Sequence, residues 1–353
     1  MKLFIPGPTE VSQKVLEAMS CPMIYHRSPE FKNLFTEIIS LLQQFLKTKN
    51  MIFLSTSSAS GLMEGAVRNC IEKRALFLTC GAFGERWKAI ASACGKEVES
   101  LDFAWGQGIS IEQLEKALQK KHYEAVFLVH NESSTGVMNR LEAIATSLRR
   151  YPETLFIVDT VSSAFGTMID VDSLAIDVCI TGVQKALAVP PGMALATLST
   201  RALEKAARCS NRGYYFDFIE AEKNFATGFT TTTPSISHCF ALKESLEGIL
   251  KEGFTNRIQR HHDMAIYTRN WAKEYFDIFT DEHFLSPTIT CIKNTRGIDV
   301  EGMNKYLQSC GFIIANGYGK IRDKTFRIGH MGEHTVDDVR ELLAAIEHYI
   351  KLC

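Results

Sequence analysis

The chain has 353 residues, enough for one large and one smaller domain, and 46% of them are hydrophobic and 22% charged, as is typical of a globular protein. Its formal net charge is −1, and no basic stripe with interleaved aromatic residues is present, so binding to nucleic acid or to an anionic membrane is disfavoured. The ten cysteines are scattered, without Cys-x-x-Cys pairs or zinc-type spacing to histidine, which predicts a reducing, cytoplasmic location and no metal site.

Short apolar runs alternate with helical patterns from about residue 30 to residue 200. The runs that we predict to be buried strands are Met51–Leu54, Ala75–Leu78, Ala125–Val129, Leu155–Val158, Val178–Ile180 and, as a returning strand, Met193–Leu198. Because these runs are continuously apolar rather than alternating, they favour a mostly parallel sheet that is covered by helices on both faces. In such α/β folds, ligands bind at the carboxyl ends of the strands.

The second half of the chain predicts a smaller domain. Residues 211–217 and 225–234 read as irregular loops, and one long helical pattern runs from about His238 through Tyr275. Three further strand patterns and a helix from Val336 to Lys351 indicate a small α+β unit. We therefore divide the chain into an N-terminal segment (1–15), a large domain (16–250) and a small C-terminal domain (251–353).

Polar clusters follow the predicted strands. Residues 55–61 are Ser-Thr-Ser-Ser-Ala-Ser-Gly and precede a helical pattern that starts near Leu62. Small hydroxyl residues at a helix N-terminus predict an anion site, because free backbone N–H groups and the positive end of the helix dipole face the ligand; plain N-capping is the alternative. No Gly-x-Gly-x-x-Gly fingerprint follows the strand, which disfavours a nicotinamide cofactor.

The later clusters contribute an aromatic ring, a carboxylate and a lysine. Phe83 lies between small residues, Asp159 directly follows one apolar run, and Lys185 lies just beyond another. Each has an ordinary interpretation taken alone, as a core aromatic, a helix N-cap and a surface lysine. Together with the anion site, they are the set that pyridoxal 5′-phosphate requires: a lysine for the Schiff base, a carboxylate for the pyridine nitrogen and a helix end for the phosphate.

With these residues the chain resembles the class V (fold type I) pyridoxal-phosphate aminotransferases, in the branch of alanine–glyoxylate, serine–pyruvate and small bacterial aspartate aminotransferases. The resemblance runs from Pro6-Gly7-Pro8-Thr9 to the C-terminal helix, and its most specific motifs are residues 130–136 (HNESSTG) and 182–192 (GVQKALAVPPG). It implies an α/β fold with a mostly parallel, seven-stranded sheet in the large domain and a small C-terminal α+β domain. It also implies a homodimer in which residues 1–15 reach the active site or the partner subunit.

The resemblance also implies the residues that bind the cofactor. By position, these are Ser58, Ala59, Ser60, Phe83, Ser133, Asp159, Val161, Gln184, Lys185 and Thr232. Lys185 would form the Schiff base and move the substrate proton, and Asp159 would pair with the ring nitrogen. Phe83 and Val161 would lie on opposite faces of the ring, and Ser133 would bind its hydroxyl group. The phosphate would be held by residues 58–60 and Gln184, with Thr232 donated by the neighbouring subunit.

For the substrate, the resemblance implies that Arg327 binds the α-carboxylate and that Gly7 approaches from the N-terminal segment. A guanidinium suits this role because it binds a carboxylate through two parallel hydrogen bonds. The roles of His26, Arg27 and Tyr215 stay open, and Phe229 stands where some relatives carry tyrosine.

The expected activity is a ping-pong transfer of an amino group from alanine, serine or aspartate to a 2-oxo acid, glyoxylate or pyruvate. Small monocarboxylic substrates are favoured because no second cation can be placed in the site, unless Arg27 serves as a distal anchor. The alternatives are a lyase similar to cysteine desulfurases and a non-catalytic relative that acts as a binding subunit. The lyase needs a nucleophilic cysteine near Arg327, but residues 316–320 contain none, and Cys310 lies in an apolar strand context.

Overall fold

The computed structural model describes residues 1–352, and its strands belong to two main sheets and one small ribbon. Numbered along the chain, the strands are β1 (Lys2–Phe4), β2 (Met51–Ser55), β3 (Arg74–Thr79), β4 (Glu97–Asp102), β5 (Ala125–Val129), β6 (Asn131–Glu132), β7 (Val137–Met138), β8 (Leu155–Asp159), β9 (Val178–Gly182), β10 (Ala194–Leu198), β11 (Asp277–Ile278), β12 (Ile289–Lys293), β13 (Phe312–Asn316) and β14 (Thr325–Gly329).

The helices fall between these strands and at both ends of the chain. They are α1 (Gln13–Met19), α2 (Pro29–Leu46), α3 (Ala59–Cys70), α4 (Ala82–Ala93), α5 (Ile111–Lys120), α6 (Leu141–Leu148), α7 (Thr200–Arg208), α8 (Phe218–Phe225), α9 (Ile236–Glu252), α10 (Phe254–Tyr275), α11 (Val300–Ser309) and α12 (Val336–Leu352). Serine caps begin several of them; Ser28, for example, accepts a hydrogen bond from the Phe31 amide at the start of α2, with Pro29 in the first turn.

The large sheet has the strand order β2-β10-β9-β8-β5-β3-β4. Strand β10 is antiparallel to both of its neighbours, and the other pairings are parallel. Strands β2, β3, β5, β8 and β9 therefore all run in one direction, and their carboxyl ends lie at one edge of the sheet. This edge is where the predicted polar clusters meet.

Both faces of the large sheet are buried by helices. Along β5, Val126 and Leu128 face a core that includes α2, α6 and α9, whereas Ala125, Phe127 and Val129 face a core with α3, α4, α7 and α8. A strand whose two faces are both buried needs apolar residues on each face, which explains the continuous apolar runs. The predicted α/β architecture with a mostly parallel sheet of seven strands is confirmed.

The second sheet has the order β1-β13-β14-β12-β11 and packs with α10, α11 and α12 around a separate core. Strand β1 pairs in parallel with β13, Leu3 opposite Ile313, so the first residues of the chain lie in the same sheet as the last strands. The sequence predicted β12, β13 and β14 but not β1, which is only three residues long.

Other elements also differ from the predictions. The helical pattern predicted from His238 to Tyr275 is two helices, α9 and α10, separated by Gly253, whose φ of 85° interrupts the helix. Strand β4 was missed because it lies at the sheet edge and is only partly buried along its length. The division into 1–15, 16–250 and 251–353 stays a prediction. No helix in the described range 1–352 is long and apolar enough to cross a membrane.

Candidate active site

A cavity of about 200 Å³ lies at the carboxyl edge of the large sheet. Its lining residues lie at the carboxyl ends of the strands or in the segments that follow β2, β3, β5, β8 and β9. They are Ser58, Ala59, Ser60, Met63, Phe83, Arg86, Val129, Asn131, Ser133, Asp159, Val161, Ser162, Gln184 and Lys185. The parallel order of the strands brings together these residues from distant parts of the chain, as expected for an α/β fold.

Lys185 lies in the turn that follows β9, with its amine at the cavity. Its Nζ donates a hydrogen bond to the Pro6 carbonyl of the N-terminal segment. Burial lowers the pKa of Lys185 from 10.5 to about 8, the positive charges of Arg327 and Arg86 act in the same direction, and Asp159 opposes the shift. At pH 7 about one tenth of the amine is therefore neutral and nucleophilic, far more than for an ordinary lysine.

Gly7 lies directly against the Lys185 side chain. A Cβ atom at this position would be 2.6 Å from Lys185 Cδ and 2.7 Å from Nζ, and the φ of Gly7 is +120°. Both facts require glycine, because an L side chain would collide with the lysine and would strain the backbone. The N-terminal segment therefore reaches the amine of Lys185.

Asp159 ends β8 and is buried beside the cavity. Its Oδ1 accepts a hydrogen bond of 2.7 Å from the Val161 amide. Burial raises the pKa of Asp159 from 3.8 to about 7, and the charge of Glu132 adds to this, whereas the Val161 hydrogen bond and the charge of Lys185 oppose it. A buried carboxylate of this kind favours a cationic partner, because pairing offsets the cost of desolvation.

The amino end of α3 provides an anion site. Ser58 is the N-cap residue, yet its side chain makes no capping hydrogen bond within the described chain. Ala59 and Ser60 form the first turn of this 12-residue helix, and all three residues line the cavity. The first backbone N–H groups and the hydroxyl groups can therefore bind an anion, which the helix dipole also favours.

Asn131 carries a buried polar atom that has no hydrogen-bond partner among residues 1–352. Its Nδ2 donates to the Ser162 carbonyl (2.6 Å) and to Thr288 Oγ1 (2.7 Å), whereas Oδ1 is unpaired. A buried acceptor without a donor is costly. Because Asn131 lines the cavity, a hydrogen-bond donor on a bound molecule could satisfy this atom.

Glu132 positions Phe83. The carboxylate of Glu132 is fully buried and accepts hydrogen bonds from the Phe83 and Gly84 amides, each at 3.1 Å, at the start of α4, and from Ser134 Oγ at 2.6 Å. Glu132 thus serves as the cap of α4, since the N-cap residue, Gly81, has no side chain. Arg86 lies over the Phe83 ring at 4.6 Å and donates to the Tyr318 hydroxyl at 3.1 Å.

Arg327 on β14 is buried, with 7% of its surface exposed. Its Nε and Nη2 donate to the Asn316 carbonyl at 3.1 and 2.9 Å, and its Nη1 donates to the Ser133 carbonyl at 3.0 Å. A guanidinium has five N–H donors. The bonds within the described chain thus leave one N–H on each terminal nitrogen, and these can donate to a bound carboxylate.

Comparison with known proteins decides the family. Residues 3–323 match the family described as aminotransferase class V. The chain belongs to the class-V aminotransferases. This aminotransferase is 36% identical over 356 residues to an uncharacterized aminotransferase of Methanocaldococcus jannaschii, an alignment that covers 99% of this chain and 92% of that protein. It is 30% identical to the L-aspartate–glyoxylate aminotransferase of Paracoccus denitrificans over 94% of this chain and 87% of that one.

A solved structure shows the same architecture. The aminotransferase superposes on the crystal structure of alanine–glyoxylate aminotransferase from Nostoc sp. with a TM-score of 0.93 and 29% identity, over 99% of this chain and 94% of that one. The predicted family, fold type I architecture and transaminase class are thereby confirmed. The family implies dependence on pyridoxal 5′-phosphate, which the residues of the cavity fit: an anion site, an unpaired buried acceptor, a buried carboxylate and an amine line one space.

The structure brings most of the predicted site residues of the aminotransferase together, but not all. The cofactor-binding set predicted from the sequence lines the cavity except for Thr232. Thr232 lies instead with Ser55, Thr56 and Tyr215 at a neighbouring surface. That Thr232 serves the partner subunit stays a prediction.

The residues whose roles were left open make contacts that fix loops. Arg27 donates to the carbonyls of Thr230 (3.0 Å) and Thr231 (3.4 Å) and lies over the Phe229 ring. The Tyr215 hydroxyl donates to the Thr56 carbonyl at 3.3 Å. In this chain, therefore, Arg27 ties down the loop that carries Thr232.

Sequence reasoning missed Asn131, Glu132 and Arg86 of the aminotransferase as individual residues. Asn131 and Glu132 lie in the motif of residues 130–136, and Arg86 lies three residues after Phe83, but nothing in the sequence indicated which side chains would be buried. The sequence placed no second cation beside Arg327 in the site. The structure corrects this, because Arg86 lines the cofactor cavity.

Proposed function

We propose that this chain is a pyridoxal-phosphate-dependent aminotransferase in which Lys185 binds the cofactor covalently. The observation that carries the proposal is the single cavity lined by Lys185, by the buried carboxylate of Asp159 and by the amino end of α3. When bound, pyridoxal phosphate supplies an electron-withdrawing ring that stabilises negative charge on the α-carbon of an amino acid.

The residues of the cavity would each hold one part of the cofactor. Ser58, Ala59, Ser60 and Gln184 would bind the phosphate, with Thr232 of the partner subunit. Asp159 would keep a proton on the ring nitrogen, and that cation would in turn stabilise the carboxylate form. Phe83 and Val161 would contact the two faces of the ring, and Ser133 would bind its hydroxyl group.

Lys185 would also act as the base in the reaction. Its Nζ would take the proton from the substrate Cα, because burial keeps part of the amine neutral near pH 7. Arg327 would bind the α-carboxylate through its two remaining N–H groups. Gly7 would leave space for the substrate beside the lysine.

The amino donor is proposed to be alanine, serine or aspartate, and the acceptor glyoxylate or pyruvate, in a ping-pong cycle. The printed names of the relatives support glyoxylate as acceptor, since it is common to the Paracoccus and Nostoc enzymes, while the donors in those names are aspartate and alanine. The sequence favoured a monocarboxylic donor because it placed no second cation in the site. Arg86 adds a positive charge that would also suit the second carboxylate of aspartate.

We also propose a cytoplasmic homodimer with shared active sites. Support comes from Thr232, which lies outside the cavity of its own chain, and from the large exposed side chains near it in the fold: Tyr215 is 41% exposed and Tyr214 87%. Apolar surface of this kind is typical of subunit interfaces. Light scattering should give twice the chain mass; a monomer that binds the cofactor with full affinity would refute the shared site.

The lyase alternative is disfavoured by the cysteines near Arg327. Cys291 pairs with Arg327 in strand register, but it is buried, and burial raises the pKa of its thiol to about 12. The sequence placed Cys310 in a strand context, which is wrong. Cys310 is exposed at the end of α11, outside any strand. A buried thiol with a raised pKa is a poor nucleophile, so Cys291 is unsuited to sulfur chemistry.

The purified protein tests the proposal directly. It should show a visible cofactor band, and borohydride should fix the cofactor to the peptide that contains Lys185, as read by mass spectrometry. A panel of donors and acceptors then identifies the substrate pair from loss of the band and from the 2-oxo acid formed. A colourless protein that does not respond to added pyridoxal phosphate would refute an enzyme of this kind and favour a binding subunit, whereas sulfide release from cysteine would favour the lyase.

A further inference from the structure

A second cavity, of about 620 Å³, adjoins the turn that carries Lys185 and shares no lining residue with the cofactor cavity. Its walls include Leu187 and Ala188 of the turn, Ser245 of α9, and the two arginines of α10, Arg257 and Arg260. None of these residues belongs to the proposed cofactor or substrate set. The turn that holds Lys185 therefore adjoins two cavities.

Arg257 is the most deeply buried charged residue of this wall, with only 1% of its surface exposed. Its Nη2 donates to the Ala186 carbonyl at 2.6 Å and to Glu333 at 2.9 Å, and its Nη1 donates to Glu252 at 2.8 Å. Its Nε finds no partner in the described chain. A cation this deeply buried is costly, so its position calls for an explanation.

The bond to Ala186 completes a series of hydrogen bonds along the turn. The Gln184 carbonyl accepts from the Thr9 amide (3.1 Å), and the Lys185 carbonyl accepts from Thr9 Oγ1 (2.8 Å). The Ala186 carbonyl accepts from Arg257, and the Leu187 carbonyl accepts from Ser245 Oγ. Four consecutive carbonyls are thus held by side chains or backbone from outside the turn.

Of these donors, only Arg257 carries a charge. It also connects the turn to the loop after β14, because Glu333 lies in that loop. One helical turn further along α10, His261 accepts from the Gly332 amide at 3.0 Å, with its other ring nitrogen bonded to the Arg257 carbonyl at 2.7 Å. Helix α10 is therefore tied to this loop from two positions, of which Arg257 also reaches the turn of Lys185.

We propose that Arg257 is a positioning residue: through the Ala186 carbonyl it fixes the turn that presents Lys185 to the cofactor, and it couples that turn to α10 and to the loop after β14. This rests on the proposed role of Lys185. Arg257 lies outside the cofactor cavity and makes no hydrogen bond to the residues that line it. Its effect is on where the lysine amine lies and how dry its surroundings are.

The consequence is measurable on the amine itself. Burial is the main reason why the pKa of Lys185 falls to about 8. If the turn loosens, water reaches the amine and its pKa rises toward the ordinary value of 10.5. A rise of about half a pH unit lowers the neutral fraction near pH 7 about threefold, and with it the rate of covalent attachment to pyridoxal phosphate.

The chain offers a matched control in Arg260. Arg260 binds the same Glu252, with Nε to Oε1 at 2.7 Å, but its other bonds go to the carbonyls of Gly332 and His334 and not to the turn. Replacing Arg260 by alanine removes one cation from the same network and leaves the Ala186 contact in place. The charges that face Lys185, namely Asp159, Arg327 and Arg86, are unchanged in either variant.

The experiment measures the rate at which cofactor-free protein attaches pyridoxal phosphate, from pH 6.5 to pH 9.5, for wild type, Arg257→Ala, Arg257→Lys and Arg260→Ala. We expect the pH midpoint to rise by about half a unit or more in Arg257→Ala and to stay unchanged in Arg260→Ala, although both variants lose thermal stability. Arg257→Lys, which retains a buried cation, serves if the alanine variant fails to fold.

The second cavity allows a chemical rescue. Because Arg257 lines an open space, guanidinium ion at millimolar concentration, far below denaturing levels, can enter the hole left in Arg257→Ala and donate to the Ala186 carbonyl. We expect the midpoint to return toward the wild-type value with guanidinium and not with sodium chloride of equal ionic strength.

The outcomes separate this proposal from the one before it. A wild-type protein that never attaches the cofactor refutes the proposed function. A wild type that does, together with a midpoint in both Arg257 variants that equals that of Arg260→Ala, refutes the positioning role and leaves the proposed function standing. If that shared midpoint also differs from the wild-type value, the network acts through general stability, which overturns the proposal as well.

Discussion

Replacement of Arg327 by alanine tests substrate recognition most sharply. Of the five N–H donors of this side chain, the structure commits three to the carbonyls of Asn316 and Ser133, which leaves two for a substrate carboxylate. Each hydrogen bond to a charged group contributes about 1.5–3 kcal/mol. Losing two therefore costs about 3–6 kcal/mol of binding in the transition state, or roughly 10²–10⁴-fold in kcat/KM.

The assay is steady-state transamination with alanine and glyoxylate, together with a visible spectrum of the same sample. The variant should keep the cofactor band, because Arg327 does not line the cofactor cavity. Arg327→Lys keeps the charge but not the two remaining N–H groups of the guanidinium, so we expect most of the loss to remain. Arg322→Ala, which removes an exposed arginine paired with Glu301, should leave the kinetics unchanged.

The same substitution also removes the donors for Asn316 and Ser133, and this effect must be separated from the effect on substrate. A lower melting temperature with an intact cofactor band and a loss in kcat/KM fits the reasoning. A kcat/KM within about twofold of wild type would refute it, since two charge-assisted bonds cannot be lost at so small a cost. Loss of the band would place Arg327 in cofactor binding instead.

Four further outcomes follow from the geometry. Attachment of pyridoxal phosphate to the apo protein should accelerate as the pH rises through about 8, because the pKa of Lys185 is lowered to that value and only the neutral amine reacts; a midpoint near 10.5 would contradict it. Apo Asp159→Asn should be more stable than apo wild type above pH 7, by up to about 4 kcal/mol, and no more stable near pH 4. The reason is that burial raises the pKa of Asp159 to about 7, so the wild type loses stability as the pH rises from 3.8 through 7. Calorimetry across this pH range measures the difference in unfolding free energy. Gly7→Ala should slow turnover at least tenfold without unfolding the protein, because its methyl group would lie 2.6 Å from the Lys185 side chain; unchanged kinetics would remove the contact from the reaction. Glu132→Gln should weaken cofactor binding about tenfold, measured by fluorescence titration, because it weakens the bonds that fix Phe83; an unchanged Kd would show that the cap of α4 is dispensable.

The convergence of the site could be predicted because it follows from topology. Ser58 and Lys185 are far apart in sequence, yet each directly follows a buried strand, and strands of one direction end at one edge of the sheet. The pattern of apolar runs was enough to place both. The identity of the chemistry then depended on residue types at those positions, which the sequence shows directly.

The contacts made by helix and loop side chains could not be predicted in the same way. Arg257 lies 71 positions from Ala186, in a helical pattern rich in charged residues, and nothing in that pattern marks it as buried. Glu132 likewise reads as a polar loop residue, and its burial is visible only once α4 is packed above it. Such contacts depend on how elements pack, which local sequence does not encode.

The N-terminal segment shows how the same packing joins the two sheets to the chemistry. Residues 2–4 form a strand of the C-terminal sheet, the Pro6 carbonyl accepts from the Lys185 amine, and Thr9 binds two carbonyls of the lysine turn. From the other side, Arg257 ties that turn to the loop after β14, the strand that carries Arg327. The residue proposed to bind the cofactor and the residue proposed to bind the substrate are therefore connected through two short paths. A shift of the C-terminal sheet that moves Arg327 would also act on the turn of Lys185, so binding of a carboxylate and placement of the amine are expected to be coupled.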